Sequence, residues 1–415
     1  MTVFKPPRDL TELLSCLIAI PSVNPMGRPL QGPEFLETRL SDWLVGYFES
    51  LGVDYERIPV APGRDNVLAR FHSNDSAPTL LLDAHQDTVP VEGMTIAPFE
   101  PVVNSGRIYG RGSADVKGGM AAMLYAFRRL VEERPAGAAN VLLSCTCDEE
   151  ATILGISDLV TYWGQPNGRS RLLSTRPDAA IVAEPTELEV VVAHRGVVRF
   201  RIHTTGRACH SSDPSQGENA IYRMARVVTC LEQYAGKLPQ WFQPHPLCGP
   251  ATLSVGRIEG GQSVNIVPDH CSIEVDRRVT PGEDWEQVIP HLRNWLEQHL
   301  DFSIMIDAPW LSSPALGDDQ NGWLAEALLE RVEAVAGCSR AVGVPYGTHA
   351  APIAAAGVPA VVFGPGSIAQ AHTRDEYIEI DSLESAAEVY FQLCAAPPVV
   401  SVNTPKNNHM PSCAE

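Results

Sequence analysis

The chain has few basic residues for its length. It contains 31 Lys and Arg against 50 Asp and Glu, which gives a formal net charge of −19 over 415 residues. Proteins that bind nucleic acids neutralise phosphates with clusters of Lys and Arg, so this composition argues against nucleic acid as a partner. A hydrophobic content of 44% can support a large core, and the length predicts more than one domain.

Paired cysteines and long apolar runs are also missing. The ten cysteines contain no C-x-x-C pair, and the closest two, Cys145 and Cys147, lie in an apolar run, which predicts small reduced core residues. The apolar segment near the N-terminus is too short to span a bilayer, contains Asp9 and Glu12, and lacks a signal-like cleavage site. These features predict a cytoplasmic protein with an amphipathic first helix and no membrane partner.

Two common enzyme motifs do not support a function either. The sequence contains no G-x-S-x-G, which argues against a serine hydrolase with a nucleophile elbow. The segment 364–369, GPGSIA, matches a dinucleotide-binding pattern, but no helical periodicity follows it. A nicotinamide-dependent enzyme is therefore not expected.

Short β-rich runs alternate with helical patterns, which is typical of a mostly parallel sheet covered by helices. Four runs are predicted strands: 79–84, 140–146, 178–183 and 359–364. Between the first two, apolar residues recur at helical spacing over 118–134 and predict a helix that faces the core. The predicted fold class is α/β.

The pattern changes near residue 195. The predicted elements there are an alternating strand at 197–205, a helix through Ile221, Met224, Val228 and Leu231, strands near 251–258 and 270–278, and a helix near 284–299. This order predicts a small α+β domain with an antiparallel, half-exposed sheet, inserted into the first domain. The predicted division is a catalytic domain in two parts (1–194 and 309–397), the insertion (195–308) and a polar tail (398–415).

The first predicted strand runs directly into His85 and Asp87. In an extended segment, residues two apart point to the same side. Asp87 can therefore accept a hydrogen bond from one ring nitrogen of His85 and leave the other nitrogen for a metal ion. A His-x-Asp sequence alone is weak support, because a hydrogen-bonded core histidine would look the same.

Stronger support comes from the ends of the other predicted elements. Ligands of parallel sheets bind beyond the carboxyl ends of the strands. Imidazole and carboxylate groups stand at five such places: His85, Asp115, Glu149 with Glu150, Glu184, and His372. Carboxylates gathered in one crevice would repel one another, so metal ions are the natural counter-charge. This mixture of ligands suits zinc, with cobalt or manganese as substitutes.

Seven ordered segments carry a family resemblance. They are DAHQDTVP, GRGSADVKGGMAA, CDEEA, AEPT, GRACHSSDPSQGENAI, VDRRVTPGE and FGPGSIAQAHTRDEYIE. With these motifs the chain resembles the co-catalytic metallo-aminoacylases and exopeptidases of the M20 type, from about residue 10 to 395. The resemblance implies a zinc-exopeptidase-like sheet, two divalent metal ions, and hydrolysis of the amide bond of a small N-acyl amino acid.

The resemblance also implies roles for single residues. Asp115 would bridge the two ions, His85 and Glu184 would complete one ligand set, and Glu150 and His372 the other. Glu149 would be the general base, supported by the fact that two consecutive side chains cannot easily face one ion. The peptide bond after Asp115 would be cis.

Three residues of the insertion receive roles in the same way. His210 would donate a hydrogen bond to the oxyanion from a mobile lid, in the active site of a partner subunit, which implies a homodimer. Arg278 would hold the substrate carboxylate. The alternative for Arg278 is a salt bridge with Glu274 or Asp276. The neighbouring arginine, Arg277, is expected to face solvent. Asn265 would position the substrate or the lid histidine.

The sequence leaves the substrate open between two members of the family. The segments HSSDP (210–214), AHRG (193–196) and GPGSIAQAHTRDEY (364–377) favour N-acetylornithine over succinyl-diaminopimelate, and other N-acyl amino acids and dipeptides stay as alternatives. His349 stands where relatives often carry an acidic residue.

Overall fold

The computed structural model describes residues 4–164 and 168–398. The predicted polar tail begins at Pro398, and the rest of it lies outside the described residues. The helices of the described chain are α1 Leu10–Ile18, α2 Thr38–Leu51, α3 Lys117–Glu133, α4 Leu154–Leu159, α5 Ala220–Trp241, α6 Val288–His299, α7 Gly322–Ala336, α8 Ala350–Ala355 and α9 Ile380–Ala395.

The strands follow in the same chain order. They are β1 Asp54–Ala61, β2 Arg64–Phe71, β3 Thr79–His85, β4 Val102–Asn104, β5 Arg107–Tyr109, β6 Asn140–Thr146, β7 Ala179–Val182, β8 Val190–His194, β9 Gly196–Thr205, β10 Thr252–Gly260, β11 His270–Val279, β12 Met305–Ile306, β13 Leu311–Ser313, β14 Ala341–Val344, β15 Ala360–Val362 and β16 Tyr377–Glu379. The four strands predicted for the main sheet correspond to β3, β6, β7 and β15.

These four strands form the centre of an eight-stranded sheet with the order β1-β2-β6-β3-β7-β15-β8-β14. Within the block β6-β3-β7-β15 each neighbouring pair is parallel, whereas β1, β2 and β8 introduce antiparallel pairs toward the two edges. All seven residues of β6 are buried, as expected for a strand covered on both faces. The predicted α/β class with a mostly parallel central sheet is confirmed.

Helix α3 packs into the core between the sheet and the last helix, α9, and its first turn lies directly after Asp115. Close packing there requires glycine: a Cβ at Gly118 would lie 2.3 Å from the carbonyl oxygen of Ser113. The loop before α3 is thus pressed against the start of the helix, which fixes where Asp115 sits.

A second sheet has the order β10-β11-β9-β12, with β13 also pairing with β9. It is antiparallel, and α5 and α6 cover one face, where Phe200, Met224 and Leu292 share a core. Of the positions predicted for α5, Met224 and Leu231 are buried, but Ile221 is exposed. The opposite face of the sheet carries charged side chains.

The connections between the two sheets are short. His194 ends β8 in the first sheet and Gly196 begins β9 in the second. On the return path, the backbone of Leu316 exchanges hydrogen bonds with His194. Among the described residues, no helix has the length and apolar character needed to cross a membrane.

Candidate metal centre

The parallel block of the main sheet brings the predicted side chains to one edge. His85 is the last residue of β3, while Glu149 and Glu150 follow β6 and Glu184 follows β7. Since these strands are parallel neighbours, their carboxyl ends lie side by side. Asp115 comes from the loop before α3, and His372 comes from the long loop after β15.

The gathered groups form two sets that share one residue. The ligand atoms of His85, Asp115 and Glu184 lie within 4.8 Å of one another, and so do those of Asp115, Glu150 and His372. One oxygen of Asp115 lies 3.1 Å from His85 Nε2, and the other lies 3.3 Å from His372 Nε2. Asp115 thus presents one oxygen to each set.

Electrostatics in the two sets reflect crowded carboxyl groups. Burial raises the pKa of Glu150 to about 8, with Asp115 adding to the rise, and burial likewise raises the pKa of Glu184 well above its ordinary value. Hydrogen bonds to Asp115 and Glu150 raise the pKa of His372 to about 10. Burial disfavours the charge on Asp115, but hydrogen bonds to His372 and His85 lower its pKa. Positive charge therefore stabilises this site.

The two sets fit a pair of divalent cations. Each offers imidazole and carboxylate ligands, which suit zinc and related metals. Glu150 Oε1 is buried and has no hydrogen-bond partner among the described residues, so one carboxylate oxygen is available for a cation. The second ring nitrogen of His85, Nδ1, lies 2.9 Å from the backbone oxygen of Asp87. This contact leaves Nε2 directed at Asp115.

Asp87 differs from its predicted role in one detail. Its carboxylate lies 3.6 Å from His85 Nδ1, so the direct hydrogen bond of His85 goes to the backbone instead. The carboxylate oxygens accept hydrogen bonds from the backbone N–H groups of Glu149 and Glu150 at 3.0 and 3.1 Å, and from Asn24 Nδ2 at 2.8 Å. Asp87 therefore holds the Glu149–Glu150 segment as well as the histidine.

The loop that carries Asp115 is held from behind by Glu376. The Glu376 carboxylate accepts hydrogen bonds from the backbone N–H groups of Gly112, Ala114 and Asp115, and it pairs with Arg111 at 2.7 Å. The peptide bond from Asp115 to Val116 is cis, as the family resemblance implied. Glu376 lay within a recognised motif, but its contacts are more than 260 residues away in sequence.

A buried polar network supports Asp87 from the N-terminal side. Asn24 Nδ2 donates to both Asp87 and Asp148, and Arg64 pairs with Glu37 and Asp148. None of these four residues (Asn24, Glu37, Arg64 and Asp148) was predicted as a site residue. No periodicity or spacing identifies them, because they come from four separate parts of the chain.

Among the described residues, no hydrogen bond or ion pair joins His210 or Asn265 to the two sets. His210 is exposed, and its Nδ1 lies 2.7 Å from Ser212 Oγ in its own loop. Asn265 lies beside that loop, since its backbone oxygen accepts a hydrogen bond from the N–H of Ser211. His210 and Asn265 therefore lie beside each other, and their hydrogen bonds stay within this part of the chain.

The two arginines of β11 are arranged differently from the prediction. Arg277 is fully buried and pairs with Glu283, so the prediction that it faces solvent is wrong. It lies in phase with the buried residues of the strand, Cys271, Ile273, Val275 and Val279. Arg278 lies on the polar face, where its Nε donates to Asp276 Oδ1 at 2.6 Å, which was the alternative considered for it.

Comparison with known families gives a match over most of the chain. The model described as "Peptidase family M20/M25/M40" matches residues 81–396. This span includes the ten residues predicted for the site, from His85 to His372.

Curated proteins of known name are similar over nearly the whole length. The chain is 33% identical over 399 residues to an acetylornithine deacetylase of Proteus mirabilis (strain HI4320), covering 92% of this chain and 95% of that protein. It is 32% identical over 355 residues to an acetylornithine deacetylase of Vibrio campbellii (strain ATCC BAA-1116), covering 83% and 88%.

Solved structures share the fold. An M20 family metallo-carboxypeptidase from Sulfolobus solfataricus has a TM-score of 0.75 at 20% identity, covering 93% of this chain and 98% of that chain. A dinuclear metal-binding M20 peptidase from Bacillus subtilis has a TM-score of 0.65 at 17% identity, covering 93% and 96%. By its family match and its curated relatives, the chain belongs to peptidase family M20/M25/M40 and is a metal-dependent hydrolase.

Proposed function

We propose that the protein hydrolyses the amide bond of an N-acyl amino acid, and that its substrate is N-acetylornithine, which yields ornithine and acetate. The observation that carries the hydrolytic part is the pair of ligand sets that share Asp115. The choice of substrate is supported by the names of the two relatives above 30% identity.

We propose that the two ligand sets form two zinc sites. His85 and Glu184 would hold one ion, Glu150 and His372 the other, and Asp115 both; cobalt or manganese could substitute. A pair of divalent cations supplies Lewis-acid polarisation of an amide carbonyl and makes water more acidic. Three carboxylates then face two divalent cations, so the filled site keeps a net positive charge that favours an anionic nucleophile.

Glu149 is the proposed general base. It follows β6 directly before Glu150, and the Asp87 carboxylate holds its backbone N–H. Burial raises the pKa of Glu149, and interactions with His85 and His349 lower it by a smaller amount. A base with a raised pKa both takes a proton from the attacking water and can return it to the leaving amine. Glu149 performs both transfers in this mechanism.

We propose that residues 195–308 form a lid that completes the site on closure. His210 would then donate a hydrogen bond to the oxyanion, helped by Asn265, and Arg278 would bind the substrate carboxylate. In the described conformation Asp276 pairs with both Arg278 and Arg199, the latter at 2.8 Å. Arg278 can therefore move to the substrate without leaving Asp276 unpaired.

The lid also carries a surface suited to a second copy of the chain. Strand β10 is an edge strand of its sheet and carries the exposed Ile258, and the loop that follows it carries the exposed Val264 and Ile266. Val264 is 100% exposed. An unpaired edge beside apolar side chains favours association with another strand. This surface supports a homodimer formed through the lid.

The proposed substrate is tested with purified, zinc-loaded protein. The panel contains N-acetylornithine, succinyl-diaminopimelate, other N-acyl amino acids and dipeptides, and the Glu149→Gln protein serves as the matched inactive preparation. We expect the highest kcat/KM for N-acetylornithine, loss of activity on chelation, and recovery with zinc, cobalt or manganese. A metal-loaded protein that hydrolyses none of the N-acyl amino acids would contradict the proposal.

A further inference from the structure

Asn24 lies at the centre of the buried polar network, yet no step of the proposed mechanism uses it. The residue is 0% exposed and lies in the segment between α1 and α2. Its Nδ2 donates to Asp87 Oδ2 and to Asp148 Oδ1, both at 2.8 Å. Asp87 accepts the backbone N–H groups of Glu149 and Glu150, and Asp148 directly precedes Glu149 in the chain. Asn24 therefore contacts both residues that support the Glu149–Glu150 segment.

Hydrogen bonds on both sides fix the orientation of the Asn24 amide. Its Oδ1 accepts from the backbone N–H of Met26 at 2.9 Å and from Arg64 Nη2 at 3.2 Å. An amide group offers two hydrogens and an oxygen that can accept two bonds, so every hydrogen-bonding position of this side chain is used. A flipped amide would place its oxygen against two carboxylates and its hydrogens against two donors. Asn24 is therefore held as a double donor toward Asp87 and Asp148.

The two carboxylates need such a donor because they are buried close to each other. Asp87 is 0% exposed and Asp148 is 2% exposed, and each has an oxygen bound to the same nitrogen of Asn24. Neighbouring like charges repel in a buried site. Arg64 pairs with Asp148 at 3.1 Å, and the Asn24 amide links this ion pair to Asp87. Loss of the amide hydrogens would leave the two carboxylates free to move apart.

The backbone at Asp148 also depends on side-chain support. Its φ is 60°, in the left-handed region that residues other than glycine seldom adopt. Such a conformation costs about 1–3 kcal/mol and persists where surrounding contacts fix it. The Asp148 carboxylate is bound by Asn24, by Arg64 and by the hydroxyl group of Thr152. These contacts fix the turn through which the chain passes from β6 to Glu149.

We propose that Asn24 is a positioning residue for Glu149 and Glu150. Its two donated hydrogen bonds hold Asp87 and Asp148, and these residues fix the backbone that carries the two glutamates. This inference rests on the proposed hydrolytic function, in which Glu149 is the base and Glu150 is a metal ligand. A catalytic group misplaced by about 1 Å can lose roughly 100-fold in rate.

Asn24→Asp changes only the donor side of the amide. The new carboxylate has the same shape and can still accept from Met26 and Arg64, but it presents an oxygen to Asp87 and Asp148. At saturating metal we expect kcat to fall roughly 10–100-fold, as is typical for residues that orient a metal ligand, with KM changed less than about twofold. Asn24→Ala removes the same two bonds without adding a charge, and it should also lower kcat.

Asn140 provides a matched control. It is 9% exposed, its Nδ2 donates to two backbone oxygens, and its Oδ1 accepts one backbone N–H. It begins β6, at the end of the strand opposite to Glu149. Asn140→Asp makes the same chemical change in a buried amide, so it should lower the melting temperature while kcat changes less than about twofold. A purely structural role of Asn24 would give the same pattern in both variants.

A second measurement needs neither substrate nor metal. Hydrogen–deuterium exchange is followed in the peptide that covers residues 148–151, in protein stripped of metal. The N–H groups of Glu149 and Glu150 are bound to Asp87, so faster exchange reports a loosened segment. We expect faster exchange in Asn24→Asp and Asn24→Ala, and wild-type exchange in Asn140→Asp.

Metal content and thermal unfolding are measured for all variants, and kcat is compared at a temperature at which each is folded. Wild-type kcat in metal-saturated Asn24→Ala would overturn the proposal, and so would unchanged exchange over residues 148–151. Equal losses of kcat in Asn24→Asp and Asn140→Asp would also overturn it. Failure of the substrate panel, with faster exchange in the Asn24 variants, would instead overturn the proposed reaction and support the role of Asn24 in holding the segment.

Discussion

Glu149 and Glu150 are consecutive glutamates with different expected roles. Glu149→Gln should keep the fold and both metal ions but lower kcat by roughly 10²–10⁴-fold, because the reacting water loses its proton acceptor. Glu150→Gln should also reduce metal content, because it changes a proposed ligand. Elemental analysis and steady-state kinetics check both variants. Near-wild-type turnover of Glu149→Gln would place the base elsewhere.

His194 makes stability depend on pH. Burial lowers the pKa of this histidine to about 4, and its Nε2 bonds Thr348 Oγ1 at 3.0 Å. The unfolded chain takes up a proton near pH 6.5, whereas the folded protein resists it down to about pH 4. Stability from this group is therefore complete above about pH 6.5 and falls as the pH drops toward 4, by about 2 kcal/mol between pH 7.5 and 5.

His194→Gln should remove that part of the pH dependence. The measurement is the free energy of unfolding in urea at pH 7.5 and pH 5, for wild type, His194→Gln and the exposed control His72→Gln. Other groups titrate in all three proteins, so the difference between the variants isolates His194. An equal decline in wild type and His194→Gln would show that this histidine is not the cause.

At the scale of single elements, β11 places its two adjacent arginines on opposite faces of the sheet, Arg277 on the buried face and Arg278 on the polar face. Arg277 and its partner Glu283 have side chains that are 1% and 3% exposed. Arg277→Ala should destabilise the protein by about 3–5 kcal/mol, because a buried carboxylate loses its partner. Arg201→Ala, which removes a half-exposed pair with Glu274 on the opposite face, should cost no more than about 1 kcal/mol.

Thermal and urea unfolding compare the two arginine variants. Similar small effects would mean that solvent reaches Glu283 when Arg277 is removed. The burial of Arg277 was available from the sequence, since the alternation of Cys271, Ile273, Val275 and Val279 places position 277 on the same face. A charged residue usually indicates an exposed position, but the ion pair with Glu283 makes the burial of Arg277 possible.

The central strands of the main sheet were predictable because their local sequence agrees with their position in the fold. β3 and β6 are continuous apolar runs between polar loops, and their bounds differ from the prediction by at most one residue. The strands at the two edges of the sheet, β1 and β14, are more exposed. β1 (DYERIPVA) contains several polar residues and β14 (AVGV) has only four residues, so their local sequence signal is weaker. Their positions depend on pairing with the central strands.

At the scale of the whole molecule, the proposed lid and dimer make one joint prediction. His210→Ala should lower kcat strongly with metal content intact, because it removes an interaction made mainly in the transition state. If His210 acts in the partner subunit, mixing inactive His210→Ala and Glu149→Gln proteins should restore activity. In a mixed dimer one site would contain both an intact base and an intact lid histidine.

Subunit exchange must be confirmed independently in that mixture, for example by mass spectrometry of isotopically labelled protein. Mixtures of the wild-type protein with each variant show how much activity to expect when the subunits have exchanged fully. No recovery of activity in confirmed mixed dimers would leave His210 acting in its own chain or not at all. A monomer in solution would exclude the dimer interface on β10 as well.

The sequence by itself determined the main α/β fold and identified Asp115 together with five further imidazole and carboxylate groups, because each stands directly at the end of a strongly apolar strand or beside a recognisable motif. Local order along the chain is sufficient for such residues, since parallel strands end at one edge. The tertiary structure alone decided which groups support them. Asp83 meets His349, and Asn24 meets Asp87, across 266 and 63 residues of chain. Contacts of that range depend on how the packed elements meet, and neither spacing nor composition encodes them locally.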